Sequence, residues 1–226
     1  MSNISDTVYK KLRYKIISGE LIPGLQLKEE EVSSQFGVSR TPVRSAFQAL
    51  INDGLLVKGT NRGVFLAEWT MNDIEEVFRL RMLLEPHATG QAALKASKQE
   101  IDQLYRLACD MESLFNESRE DNIIPIQKNN HEFHMSVIQF SRSPRLQKMI
   151  KPLVKAPMVI GAFHVYDETD IKRSIMHHHD IVIAISMRNQ ALAEQMMRVH
   201  LNMAYTSFMK SHEKNILPSA LSLTEV

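Results

Sequence analysis

Residues 174–185 read SIMHHHDIVIAI, with His177, His178 and His179 embedded between Ile175 and Ile181. Imidazole carries protons near neutral pH and ligates borderline metals, so a histidine cluster offers a pH switch or a metal site. The internal position excludes a purification tag. Helical geometry separates the three rings, because each residue turns a helix by about 100°. On a helix over 170–187, His178 shares a face with Ile171, Ile175, Ile181, Val182 and Ile185 and points inward, while His177 and His179 diverge to either side. In NNHEFHMSVIQF, His134 follows Asn130 by one turn and lies beside Val137 and Ile138. In QMMRVHLNMAY, His200 lies on a stripe with Met196, Met197, Met203 and Ala204. Three inward histidines on three helices are costly to bury without partners, and a divalent cation satisfies them together. Nitrogen-rich ligation favours Zn²⁺ or Ni²⁺ over Mg²⁺ or Ca²⁺.

Two rival chemistries use the same residues. Three histidines around a metal with an open position also describe a hydrolytic zinc site, which needs a general base. Glu132 and Asp180 each sit two residues from an inward ligand position and so point away from it. Without metal, the cluster would titrate and act as a pH sensor; His131 and His177 are placed to modulate the pocket in either case.

A second group of chemistry-bearing residues lies in SRTPVRSAF. Arg40, Thr41 and Arg44 fall in the opening turns of a helix that Ser39 is placed to cap and whose first turn tolerates Pro42. Arginine reads a guanine edge bidentately, and hydroxyls serve phosphate oxygens. Ala46, Phe47, Leu50 and Ile51 form the opposite, apolar face. Arg62 and Gly63 sit at the tip of a hairpin formed by LLVKG and GVFLA.

Two different frames position these groups. Six of the eight glycines fall before Ala67, and helical periodicity dominates afterwards, which places a domain boundary near Ala67–Thr70. The expected divisions are 1–68, 69–214 and a polar tail over 215–226. The first part reads as helices over 5–18, 28–36 and 40–52 followed by the hairpin, the order of a winged helix-turn-helix. The second reads as helices at 71–95, 98–119, 122–141, 143–164, 170–187 and 189–212, an antiparallel six-helix bundle. The fold class is therefore mainly α.

Composition is consistent with this plan. Residues 1–67 carry nine Lys and Arg against six Asp and Glu; residues 68–226 carry eighteen against twenty. The split permits an anionic partner for the first part without demanding one. No apolar run approaches the roughly 18 residues of a membrane span, and the N-terminus lacks a signal-peptide core, so no membrane partner is expected. The single Cys109 cannot form an internal disulfide, which suits a reducing cytoplasm, and its helical context reads as core filler.

Residues 5–67 resemble the DNA-binding domain of the GntR family of bacterial transcription regulators, through GELIPGLQLKEEEVSSQFGVSRTPVRSAFQALINDGLL and the wing RGVFLA. The resemblance implies that Arg40, Thr41, Arg44 and the wing around Gly63 touch operator DNA, and that the protein binds a near-palindromic site as a homodimer. Glu30 departs from relatives that carry a DNA-contacting arginine there. Residues 72–212 resemble the FCD effector domain of the FadR-type branch, through FRLRMLLEPHATGQAA, NNHEFHMSVIQFSRSPRL, HHDIVIAI and AEQMMRVHL, and the helix count resembles the VanR-like subgroup. The resemblance implies metal ligation by Asn130, His134, His178 and His200. The neutral Asn130 in place of the commoner aspartate implies weaker, more pH-sensitive binding. It further implies a small organic-acid effector whose carboxylate pairs with Arg81; the alternative for Arg81 is a salt bridge with Glu85 at i+4. Function then follows as a DNA-binding regulator, a repressor relieved by its ligand.

Overall fold

The computed structural model describes residues 4–17, 20–59, 63–68, 70–154 and 166–213, side chains excepted at 119–121 and 212–213. These residues divide into two compact units, up to Ile74 and from Glu75 onward.

In the first unit, α1 (Ile4–Ile17) is followed by β1 (Gln26–Leu27), α2 (Glu29–Phe36), α3 (Arg40–Asn52), β2 (Leu56–Lys58) and β3 (Val64–Leu66). Val8, Leu12 and Ile16 recur at helical spacing on α1 and are buried against Val43, Ala46, Phe47 and Leu50 of α3. The hairpin forms as expected, with Val57 opposite Phe65 in an antiparallel register. Its connecting residues Thr60, Asn61 and Arg62 lie outside the described residues. The two-residue β1, unforeseen because it is too short to show an alternating pattern, pairs with β3 and makes a three-stranded sheet of order β1-β3-β2.

The turn between α2 and α3 depends on Gly37, whose φ of 63° is left-handed; Val38 N–H then donates to Ser33 O and closes the helix end. One expectation fails here. Ser39 occupies the N-cap of α3 with extended backbone, but its side chain makes no cap bond. The cause is local: Pro42 stands at the third helical position, where an N-cap hydroxyl would otherwise find an N–H.

The second unit is helical. Its described helices are α4 (Met71–Lys95), α5 (Lys98–Glu117), α6 (Arg119–Phe140), α7 (Pro144–Val154), α8 (Glu168–Ser186) and α9 (Gln190–Glu213). The helix expected over 143–164 is described only to Val154; its continuation and the polar tail lie outside the described residues. Helix α8 begins two residues earlier than the hydrophobic pattern indicates. Asp167 and Asp170 form a reciprocal capping box, a polar signal that periodicity does not register. Ser97 and Glu100 do the same for α5. The core is built from Ala92, Leu104, Phe133, Val137, Ile181, Ile185 and Leu201, drawn from five helices. Among the described residues, no helix is long and apolar enough to cross a membrane.

Candidate nucleic-acid interface and metal centre

On α3, the face opposite the buried Val43, Ala46, Phe47 and Leu50 presents Arg40, Thr41 and Arg44 to solvent. Ser39 is exposed beside them, and Gly63 is half-buried at the end of the hairpin. The acidic start of α2 reaches this face. Arg44 Nε donates to Glu29 Oε2 at 2.7 Å, and Arg40 Nη2 lies 3.0 Å from Glu30 Oε1. Glu29, Glu30 and Glu31 place favourable negative charge in the first turn of α2, and tertiary structure gives two of them a second task, as partners of the exposed arginines.

In the second unit, α6, α8 and α9 bring His134, His178 and His200 together. One ring nitrogen from each lies within 4.8 Å of the others, and all three residues are buried. His134 Nε2 stands 3.1 Å from His200 Nε2. Two imidazole nitrogens this close share a proton or face a common cation. His178 is fully buried, yet among the described residues neither of its ring nitrogens has a hydrogen-bond partner, and His200 Nδ1 also lacks one. Phe133 stacks on the His178 ring at a centroid distance of 4.0 Å and an angle of 9°, which sets the ring plane. Burial, with the neighbouring imidazoles reinforcing it, pushes His178 and His200 well below the ordinary histidine range. Both are therefore neutral near pH 7, the form that donates a lone pair. Buried and convergent, the donor set fits a nitrogen-preferring divalent cation.

The carboxylate nearest the cluster is neither Glu132 nor Asp180, which are both exposed, but Glu85 of α4. Glu85 Oε2 lies 2.7 Å from His134 Nδ1, and its Oε1 accepts from Arg81 Nε at 2.5 Å. Burial pushes the Glu85 carboxyl up, but the Arg81 guanidinium and His134 outweigh burial and hold it down at about 2. Arg81 is itself buried, so the i+4 salt bridge weighed in sequence is present. The sequence showed Glu85 only as a partner for Arg81; its second bond, to a residue 49 positions away, has no local signal. Asn130 sits one turn before His134 on α6 and is buried. His177 is half-buried at the margin, its ring 5.9 Å from that of His200, whereas His179 turns towards Glu112 and Tyr105 of α5. A narrow cleft lined by Tyr166, Asp170, Arg173, His177, His200 and Ser207 opens beside the cluster.

Comparisons with known proteins match both parts of the chain to known domains. Residues 4–66 match the model for bacterial regulatory proteins of the gntR family, and residues 76–203 match the FCD domain. The HTH-type transcriptional regulator YdhC of Bacillus subtilis is 25% identical over 194 residues, covering 86% of each chain. The HTH-type transcriptional repressor RspR of Escherichia coli is 25% identical over 213 residues, covering 94% of this chain and 92% of its own. Among solved structures, E. coli McbR superposes with a TM-score of 0.72 at 20% identity, covering 95% of this chain and all of its own. A GntR regulator of Rhodococcus sp. RHA1 gives 0.68 at 25% identity, covering 91% and 97%. These relatives and domains are transcription regulators and not enzymes. With an FCD domain over more than half its length and a winged head before it, the chain belongs to the GntR family of bacterial transcription regulators.

Proposed function

We propose that the protein is a ligand-relieved repressor that binds a palindromic operator as a homodimer and senses a small organic acid in a metal-containing helical pocket. The head spans 1–68 and the sensor 69–214. DNA contacts fall to Ser39, Arg40, Thr41 and Arg44 along the front of α3, with Arg62 and Gly63 at the wing tip. Support comes from the exposure of α3's polar face and from the repressor name carried by RspR. Dimeric binding follows from size, since one small head offers too few contacts for useful specificity.

His134, His178 and His200 hold the cation, and Asn130 completes the set from one turn away. The observation carrying this reading is His178, fully buried where three helices meet with both ring nitrogens unbonded among the described residues. Zn²⁺ or Ni²⁺ bound there supplies Lewis-acid attraction for a carboxylate. The protein's own residues do the rest. Phe133 orients His178, burial keeps His178 and His200 neutral, and a narrow cleft opens beside His200. Glu85 takes the Nε edge of Arg81, which leaves the terminal guanidinium nitrogens for the effector's carboxylate. Effector binding shifts a two-state equilibrium of the dimer and lowers operator affinity.

The test is elemental analysis of protein purified without a tag. Wild type is expected to carry about one Zn²⁺ or Ni²⁺ per chain and His178→Ala almost none. Near-zero metal in both would remove the metal from the proposal. A thermal-shift screen of small organic acids, with and without each metal, then supplies hits for operator gel shifts.

A further inference from the structure

Glu85 is a carboxylate that the fold seals against the histidine cluster, and nothing in the proposed ligand set uses it. It is 1% exposed, and its two oxygens are divided: Oε1 accepts from Arg81 Nε on the same helix, and Oε2 meets His134 Nδ1 at 2.7 Å across to α6. A carboxylate paired with a guanidinium offers only lone pairs at its second oxygen. The hydrogen in the Glu85–His134 contact therefore belongs to His134 Nδ1, and in the neutral ring the lone pair then belongs to Nε2. Nε2 is the atom 3.1 Å from His200 Nε2, on the cluster side of the ring.

We infer that Glu85 is a positioning residue, which locks His134 as the Nδ1–H tautomer and thereby presents the Nε2 lone pair to the other two histidines. Without that acceptor, His134 is free to carry its proton on Nε2, where it blocks the convergence. The tautomer is a property of the metal-free protein; its consequence for affinity rests on the metal reading above. Outer carboxylates of this kind typically hold a 10- to 100-fold share of metal affinity by fixing ring orientation and basicity. Arg81 joins the same device, since it neutralises a carboxylate that the fold seals from solvent.

The experiment uses the full-length protein in two forms. Glu85→Gln retains an acceptor oxygen but loses the charge. Arg81→Met combined with Glu85→Leu removes both charges together, so that neither is left buried and unpaired; a cooperative melt verifies folding. Long-range ¹H–¹⁵N spectra of metal-free, ¹⁵N-labelled protein report the tautomer. In wild type His134 is expected to show a protonated Nδ1 and a bare Nε2, and in the double variant the proton is expected to shift at least partly to Nε2. Zn²⁺ titration against a chelating indicator is expected to show about 10- to 100-fold weaker binding in the double variant, with a smaller loss in Glu85→Gln. A wild-type ring protonated on Nε2, or an unchanged tautomer in the double variant, overturns the inference. So does unchanged Zn²⁺ affinity in a folded double variant. If wild type binds no Zn²⁺, the metal reading falls, and the spectra still decide the role of Glu85.

Discussion

At the level of single residues, the exposed arginines of α3 are not free cations. Glu29 holds Arg44 and Glu30 holds Arg40, and under the proposed function each pair opens for the guanidinium to reach DNA. Exposed pairs of this kind are worth at most about 1 kcal/mol, so the carboxylates modulate binding and do not forbid it. Arg44→Ala is expected to weaken operator binding about 10- to 100-fold in a gel shift, with an unchanged melting temperature because the side chain lies outside the core. Glu30→Gln is expected to do the opposite, raising affinity about three- to fivefold for operator and unrelated DNA alike. Removing one negative charge should also steepen the salt dependence by close to one unit of slope. A Glu30→Gln effect confined to the operator would mean that Glu30 reads a base. The histidines carry a pH dependence of definite sign. His178 and His200 sit below their ordinary values in the fold, so the unfolded chain binds protons more readily as pH falls through about 6.5. Stability of chelator-treated protein is expected to be flat above pH 7 and to drop between pH 6.5 and 5. An unchanged melting temperature across that interval would contradict the burial argument.

At the level of elements, helix ends explain most of the differences between pattern and structure. The capping boxes at Ser97–Glu100 and Asp167–Asp170 set where α5 and α8 begin, and Ser97→Ala is expected to cost about 1 kcal/mol in denaturant unfolding. Gly37 has open space around it but a left-handed backbone, so Gly37→Ala is disfavoured by conformation alone, also by about 1 kcal/mol. Helix α4 is the element with the most varied duties. Ile74 and Phe78 are buried apolar positions, Arg81 and Glu85 form a sealed pair, and Ala88, Ala92 and Ala93 allow close packing further along. A helix that mixes these faces has no single apolar stripe, which is why its polar core residues do not stand out from FRLRMLLE as a surface pattern would.

At the level of the whole molecule, a protein that senses an acid through a metal should be stabilised by both ligands. By mass action, each ligand at about 100 times its dissociation constant adds close to 2.7 kcal/mol. Zn²⁺ or Ni²⁺ is expected to raise the melting temperature of the chelator-treated protein, and a matching organic acid to raise it further only when the metal is present. An acid that acts equally well in chelator would place the effector away from the cluster. Light scattering at operator-binding concentrations is expected to give twice the chain mass.

Much of this was legible in the residues themselves. The spacing of Val8, Leu12 and Ile16, the apolar rear of α3 and the inward face of Ile171, Ile175, His178 and Ile185 follow from a period of 3.6, which any helix imposes on whatever it buries. That periodicity singled out His178 from its two neighbours, and recurring inward histidines marked His134 and His200. What the residues could not show were partnerships across elements. Glu29 and Glu30 against the α3 arginines, Glu85 against His134, and Phe133 stacked on His178 join positions 10 to 49 residues apart. Local propensity and periodicity act over one or two helical turns. Hydrogen-bond roles inside a core are decided by which side chains meet there after the helices pack. Sequence thus determined the two frames and the histidines they carry; only tertiary structure decided which carboxylate stands behind His134 and which ones hold the exposed arginines of α3.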